Sequence, residues 1–270
     1  MTIWSDEDKV ITIWGASMEI DRSPWILHRK ISIERDQSIT VDGLDKLSRL
    51  SNLELLDLGV NMFNNDILPS LGLHFRLQNL YLLDNEIDKV VFPKGPGARS
   101  SLQTLYLDSN KLNKIIDFQD NLEYLDLRGN KLNSSMLSSI GALSSLKTLY
   151  LNDKGLRGIV DIAGFYSLSN LEFLDMSNNE IDKFIFPKDG TSLKGLTELY
   201  LVNISIRDGS SLLRSLGSFS SLKKLDLRFN NFSETTTTAN LPYLRNLTSL
   251  YMDDTNLGIN FLQIFKFLGC

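Results

Sequence analysis

The sequence predicts an α/β repeat fold, a solenoid in which each coil contributes one short parallel strand. Two observations carry that expectation. A segment spaced L-x-x-L-x-L recurs nine times, mostly at intervals of roughly 24–25 residues. In six of the nine recurrences an Asn stands three residues after the last of these apolar positions, as in Leu53-x-x-Leu56-x-Leu58-x-x-Asn61-x-Phe63 and Leu122-x-x-Leu125-x-Leu127-x-x-Asn130-x-Leu132. A repeat array grows linearly, so 270 residues with 42% hydrophobic content need not split into several cores.

Each position of the unit has a physical role. Side chains of a strand alternate, so the L-x-L leucines turn inward and the residues between them face solvent on the strand side. A single coil cannot bury its own leucines, whereas stacked coils cover one another's apolar faces. The recurrent Asn is expected to turn inward and bond backbone groups at the turn. Lys154, Ile204 and Thr255 occupy that slot in three units, and a charge at Lys154 requires distortion or an outward-reaching side chain. The rest of each unit, such as 134–141 with its closing Gly141 or 211–217, has apolar residues at helical spacing and reads as a short helical or 3-10 turn. The unit starting at Leu102 reaches the next in fewer residues and is expected to have a tighter loop over 113–118; 92–97 reads as an exposed bulge and 235–238 as another loop. Together these features describe a leucine-rich-repeat solenoid, a curved horseshoe with parallel strands on the concave face and short helical or 3-10 turns and loops on the convex face.

At the start, Val10–Ile13 and Ile31–Ile33 alternate like strands, so 1–43 reads as a degenerate, cap-like N-terminal region and 44–270 as the repeat array. The segment over 43–52 fits a convex helix. Residues 261–269 fit another convex segment, and the array is expected to be cut within a repeat.

Composition excludes several function classes. The net charge is −5 with both signs interspersed, so the clustered basic footprint of a nucleic-acid partner is missing. The one cysteine, Cys270, rules out an intrachain disulfide and a Cys-based metal site. His28 and His74 stand alone, and no phosphate-binding glycine loop appears, so neither catalysis nor a cofactor is expected. The first eight residues are acidic where an export signal is basic, and no apolar stretch of about 20 residues is present to span a bilayer.

Candidate ligand contacts follow from the outward strand positions. The middle column reads Asp57, Tyr81, Tyr106, Asp126, Tyr150, Asp175, Tyr200, Asp226 and Tyr251; Tyr offers area and a hydroxyl at low entropy cost. The same column also suits Asp or Tyr in such repeats whatever the ligand. The next outward column includes Leu83, Asp108, Arg128, Asn152, Val202, Arg228 and Asp253. Arg128 and Arg228 stand out because an exposed guanidinium can fork to a carboxylate. Both also read as solvated surface charges; outward Asp pairs such as Asp126 and Asp175 lie two units apart with nothing nearby to raise a pKa, and most Asp residues read as solvated strand positions. Asn133, Asn203, Asn231 and Asn246 each begin an N-x-S/T acceptor pattern for glycosylation.

The stretch Gly43-Leu-Asp-Lys-Leu-Ser-Arg-Leu-Ser-Asn-Leu-Glu-Leu-Leu-Asp-Leu58, followed by Asn64–Gly72 and by Ser144-Ser-Leu-Lys-Thr-Leu-Tyr-Leu151, resembles the ectodomain of plant leucine-rich-repeat receptor-like proteins. The resemblance implies a cell-surface protein, on the extracellular side of the plasma membrane. It would bind a protein, peptide or glycan ligand and signal through partner receptor kinases. An intracellular protein-interaction scaffold and a secreted inhibitor of wall-degrading enzymes are the alternatives.

Overall fold

The computed structural model describes residues 2–4, 10–13, 30–33, 52–71, 76–91, 101–116, 121–133, 135–153, 155–165, 167–185, 193–210, 219–235 and 246–257, with Leu212 and Leu216. The chain divides into two compact units, Met1–Asn130 and Lys131–Cys270, taken here in turn.

In the first unit, one sheet runs in the order β1 (Thr2–Trp4), β2 (Val10–Ile13), β3 (Lys30–Ile33), β4 (Leu55–Asp57), β5 (Asn79–Tyr81), β7 (Thr104–Tyr106) and β9 (Tyr124–Asp126), while β6 (Lys89–Val91) and β8 (Lys114–Ile116) form a separate parallel pair. Only β1 runs antiparallel to its neighbour, and its sequence lies outside the repeat pattern. The register places Leu56, Leu80, Leu105 and Leu125 opposite one another. Their side chains are sealed from solvent, as are Leu58, Leu82, Leu107 and Leu127 two residues on. Burying a leucine contributes roughly 1.5–3 kcal/mol, so this inward double row is the principal apolar contribution of the unit. Ile67, Leu68 and Leu71 close the opposite side from a 3-10 turn (Asn65–Ile67) and a one-turn helix (Leu68–Leu71).

The second unit repeats the plan. Its main sheet runs β10 (Thr148–Tyr150), β12 (Phe173–Asp175), β14 (Glu198–Tyr200), β15 (Lys224–Asp226) and β17 (Ser249–Tyr251), all parallel. Leu149, Leu174, Leu199 and Leu225 stack inward and are buried, whereas Leu250 in β17 is half-buried. Parallel pairs β11 (Arg157–Asp161) with β13 (Glu180–Ile185), and β16 (Asn231–Phe232) with β18 (Asn256–Leu257), lie in the segments between the main strands. Phe165, Phe184 and Phe232 fill the coils with buried rings.

The Asn ladder is present. Asn179 donates to the carbonyls of Met176 and Ser177 in its own coil and of Leu151 in the previous one, and its Oδ1 accepts from Leu156 N–H. Asn85, Asn110, Asn130 and Asn230 make the equivalent bonds. Thr255 reaches the Leu227 carbonyl with its hydroxyl at 2.8 Å, a partial substitute. Ile204 fills the slot as a buried apolar side chain, and its backbone N–H donates to Asn230 Oδ1.

Immediately before this slot the backbone turns left-handed in every repeat. The residues are Val60, Asp84, Ser109 and Gly129 in the first unit and Asp153, Asn178, Asn203, Phe229 and Asp254 in the second, with φ between 50° and 76°. That reversal swings the following amide inward. Gly, Asn and Asp tolerate it; a β-branched or aromatic residue there is strained.

The convex side differs from expectation. The tight loop expected over 113–118 contains β8, and β6, β11, β13, β16 and β18 likewise replace expected loops and turns with short parallel pairs. In β13 Ile181 and Phe184 are buried, three residues apart where the pairing with β11 shifts register, against exposed Asp182, Lys183 and Ile185. The helix Met136–Ile140 is as expected, but Gly141 closes it with φ −59°, outside the left-handed region. Its role is close approach: a Cβ there would sit 1.6 Å from the Gly164 carbonyl oxygen. The expected convex helix over 43–52 (apart from Asn52), the bulge over 92–97, most of 211–217, residues 236–238, the closing segment 261–269, Lys154, His28 and His74 lie outside the described residues.

Candidate functional site

In β4, β5, β7, β10, β12 and β14 the inner leucine lies between two half-exposed residues, giving two outward columns, and the turn after the strand gives a third. In the first unit, Tyr81 and Tyr106 are register partners and their rings stack at 4.6 Å and 9°. The next partner of Tyr106 is Asp126, so its ring leans instead on Tyr124 in the neighbouring column, at 4.8 Å. Burial, the neighbouring Tyr106 and the Asp57 carboxylate push the Tyr81 phenol above its ordinary range.

Asp126 is fully buried even though it occupies an outward position. Arg128, two residues on along the same edge, folds back over it. Its Nε donates to both carboxylate oxygens at 3.0 Å, and Nη2 donates to Oδ2 at 2.6 Å. Arg228 covers Asp226 in the same way in the second unit, with Nε at 2.9 and 3.1 Å and Nη2 at 2.7 Å. The reading of outward aspartates as solvated is therefore corrected at Asp126 and Asp226: each guanidinium, read as an exposed fork or a solvated charge, uses one edge on a carboxylate of its own strand, and each stays strongly protonated because of that bond. Asp108 corrects the expectation of unperturbed carboxylates. Burial first, and then the Asp126 charge, raise its pKa, while Arg128 opposes the shift.

The second unit carries an aromatic row of three rings as well. Tyr150, Phe173 and Tyr200 follow one another across three strands at 4.8 and 5.1 Å, tilted by 42° and 38°. Tyr200 donates its hydroxyl to Glu198 at 2.9 Å. Lys224 lies 3.8 Å from Glu198 and 5.0 Å above the Tyr200 ring, and also 5.6 Å from the Tyr251 ring. The Arg228 guanidinium sits 5.7 Å over that same Tyr251 ring. Burial raises the Tyr200 phenol; the Tyr200 contact raises the Lys224 ammonium. Asp175 is turned toward its own backbone and accepts from Ser177 N–H at 2.9 Å.

The structure thus brings Tyr81 with Tyr106, Tyr150 with Tyr200 through Phe173, and Arg228 with Tyr251. Tyr124, Phe173, Glu198 and Lys224 were missed in the sequence reading, although they lie two residues before the middle column and obey the same alternation. The four acceptor asparagines are all exposed. Asn133 and Asn231 accept from the backbone N–H of Ser135 and Ser233, while Asn203 and Asn246 spend side-chain N–H groups on Asn178 Oδ1 and on the Ser220 carbonyl. Among the described residues no group of His, Cys, Asp or Glu is arranged to hold a metal ion, and no helix is long and apolar enough to cross a membrane.

The Leucine Rich Repeat family model matches residues 121–143 and 170–192. The coils, the Asn ladder and this match agree. The chain has the leucine-rich-repeat fold. Over 100 residues, 36% of the chain, it is 39% identical to Receptor like protein 21 of Arabidopsis thaliana, and it is related to plant leucine-rich-repeat receptor-like proteins. That match spans about a tenth of the relative's length. Among solved structures, PEPR1-AtPEP1 is 26% identical with a TM-score of 0.60, over 85% of this chain and 32% of that one. The LRIM1/APL1C complex, at 19% identity and TM-score 0.66 over 88% of this chain and 40% of that one, shares the fold. So does internalin C2 of Listeria monocytogenes, at 22% identity and 0.55 over 80% and 84%. Leucine-rich-repeat solenoids are protein-interaction scaffolds, and this chain is one by fold.

Proposed function

We propose that this repeat array is the non-catalytic recognition domain of a plant cell-surface receptor-like protein. Its outward strand columns bind a peptide, glycan or partner ectodomain, and signalling is left to an associated receptor kinase. The observation that carries this reading is the aromatic row Tyr150–Phe173–Tyr200 flanked by cation-covered Tyr251, a rigid surface held on a sealed leucine spine. Aromatic side chains in fixed rotamers give large contact area with little ordering cost, and a scaffold that is already rigid loses less entropy on binding. The charges around the row are largely neutralised within the chain, which favours recognition by shape and stacking over capture by net charge. The kinship with a receptor-like protein and the pairing of PEPR1 with AtPEP1 support the same role. Exposed acceptor sites at Asn133, Asn203, Asn231 and Asn246 are compatible with passage through a secretory route.

The test is an array of wall-derived oligosaccharides and synthetic plant peptides probed with the purified chain. Binders are expected whose affinity drops at least tenfold, about 1.4 kcal/mol, in Tyr150→Ala and Tyr200→Ala variants of unchanged circular dichroism. Binders indifferent to every outward Tyr and Arg overturn the assignment to this face.

A further inference from the structure

In the left-handed position that precedes the Asn slot, two residues, Val60 and Phe229, are out of keeping with their column, and Phe229 is the aromatic one. Phe229 adopts φ 58° where seven of the nine repeats place Gly, Asn, Asp or Ser. Its ring is 54% exposed, and it engages no other aromatic ring and no cation among the described residues. Two unfavourable features therefore coincide: an aromatic residue in a backbone region that disfavours it, and an apolar ring left in water. Asn at 229 would relieve both. Nothing within the coil repays them, since the backbone role of the position, donation from Phe229 N–H to the Asp253 carbonyl at 3.1 Å, needs no particular side chain.

We propose that Phe229 is the anchor of a protein-docking patch at the border of the outward strand columns, one that fits a partner surface with an apolar socket edged by basic side chains. Phe229 lies in the turn after β15, one residue beyond the outward column that holds Arg228 and Asp253. The adjoining coil supplies Asp253 and Asp254, both exposed, and Asp254 occupies the column position next to Phe229. Arg228 is turned onto Asp226 and Tyr251, and of the two carboxylates it is Asp253 that its charge reaches. It therefore leaves the Asp254 side of the patch acidic, and the complement is basic. An exposed aromatic ringed by charge is the composition of an interface hot spot, where a buried anchor contributes most of the affinity and the rim sets the partner. The same carboxylates disfavour an anionic lipid surface.

The test pans a displayed library of random 12-residue peptides against the full chain and three variants. Peptides combining Lys or Arg with bulky apolar residues are expected to enrich on the wild type. Their binding should fall at least tenfold with Phe229→Asn and about threefold with Asp254→Asn, and should be unchanged with Tyr200→Ala. Phe229→Asn should also raise the melting temperature by about 2–4 °C, which excludes unfolding as the cause of lost binding. Loss with Tyr200→Ala but not with Phe229→Asn would overturn the patch while leaving the strand-face function intact. A library without Phe229-dependent binders, a Phe229-dependent dimer in sedimentation, Phe229-dependent vesicle capture, or a lowered melting temperature in the Asn variant would each contradict it.

Discussion

Asp126 and Arg128 stand two residues apart on one strand edge, and that spacing decides what both do. The carboxylate is buried only because the guanidinium lies over it, and the arginine side chain remains 40% exposed. Removing the cation strands a buried charge, which costs more than the pair itself contributes. Arg128→Ala should therefore lower the unfolding free energy by roughly 1–3 kcal/mol in urea titrations. Adding Asp126→Asn should recover part of that loss, and a double variant no better than the single would refute the coupling. Val60 carries strain of another kind, a β-branched residue at φ 55°. Val60→Asn should stabilise by about 1 kcal/mol, since Asn tolerates the left-handed region. Asp108 sets a pH dependence. Burial and Asp126 raise its folded pKa above the ordinary value of 3.8, so the native state holds the proton more tightly than the unfolded chain. Its contribution to stability then falls as pH rises from 3.8 through the folded value and is least favourable above it. Urea midpoints of wild type and Asp108→Asn across that range should converge at low pH and separate toward neutrality, with the Asn variant the more stable there.

Among the elements, the strand and its Asn cap form one functional piece. Asn179 satisfies three carbonyls and one N–H in two successive coils. Asn179→Ala leaves these buried groups without partners and should cost about 2–3 kcal/mol, with amide exchange accelerating first at Leu156, whose N–H loses its acceptor. The main strands and the Asn ladder were legible in the sequence because both rest on strict spacing: leucine at alternate positions, then an amide three residues on. The convex strands were not. Lys114-Ile115-Ile116 and Arg157-Gly158-Ile159-Val160-Asp161 lack a shared period, and their pairing depends on coils brought into register by the main sheet. Gly141 shows the same limit, since nothing local reveals that the Gly164 carbonyl occupies the space of its absent side chain. Gly141→Ala is expected to lower the melting temperature or displace that carbonyl, as seen by calorimetry.

At the scale of the molecule, stability and the proposed recognition use different sides of the same strands. A repeat protein is stabilised mainly by contacts between neighbouring coils, so the inward leucines carry stability and the outward residues are free to vary. The outward columns were legible as positions but not as a surface. Alternation shows that Arg128 and Arg228 face outward, yet an i, i+2 partner and a ligand compete for the same guanidinium, and only the geometry reveals that the Asp is taken. Tyr124, Phe173 and Lys224 escaped notice because attention to the middle column ignored the neighbour that completes each aromatic row. Exposed pairs such as Lys111–Glu86, Arg157–Glu180 and Arg207–Glu234 link adjacent coils and contribute little individually. They keep the surface electrically balanced, which leaves the aromatic rows as its distinguishing feature. The most direct test of this division compares two adjacent residues of β15 by equilibrium urea unfolding. Leu225→Ala is predicted to lose about 2–5 kcal/mol and Lys224→Ala to stay within about 1 kcal/mol of wild type. Equal losses, or a larger loss at Lys224, would contradict a leucine spine that bears the stability and frees the outer face for binding.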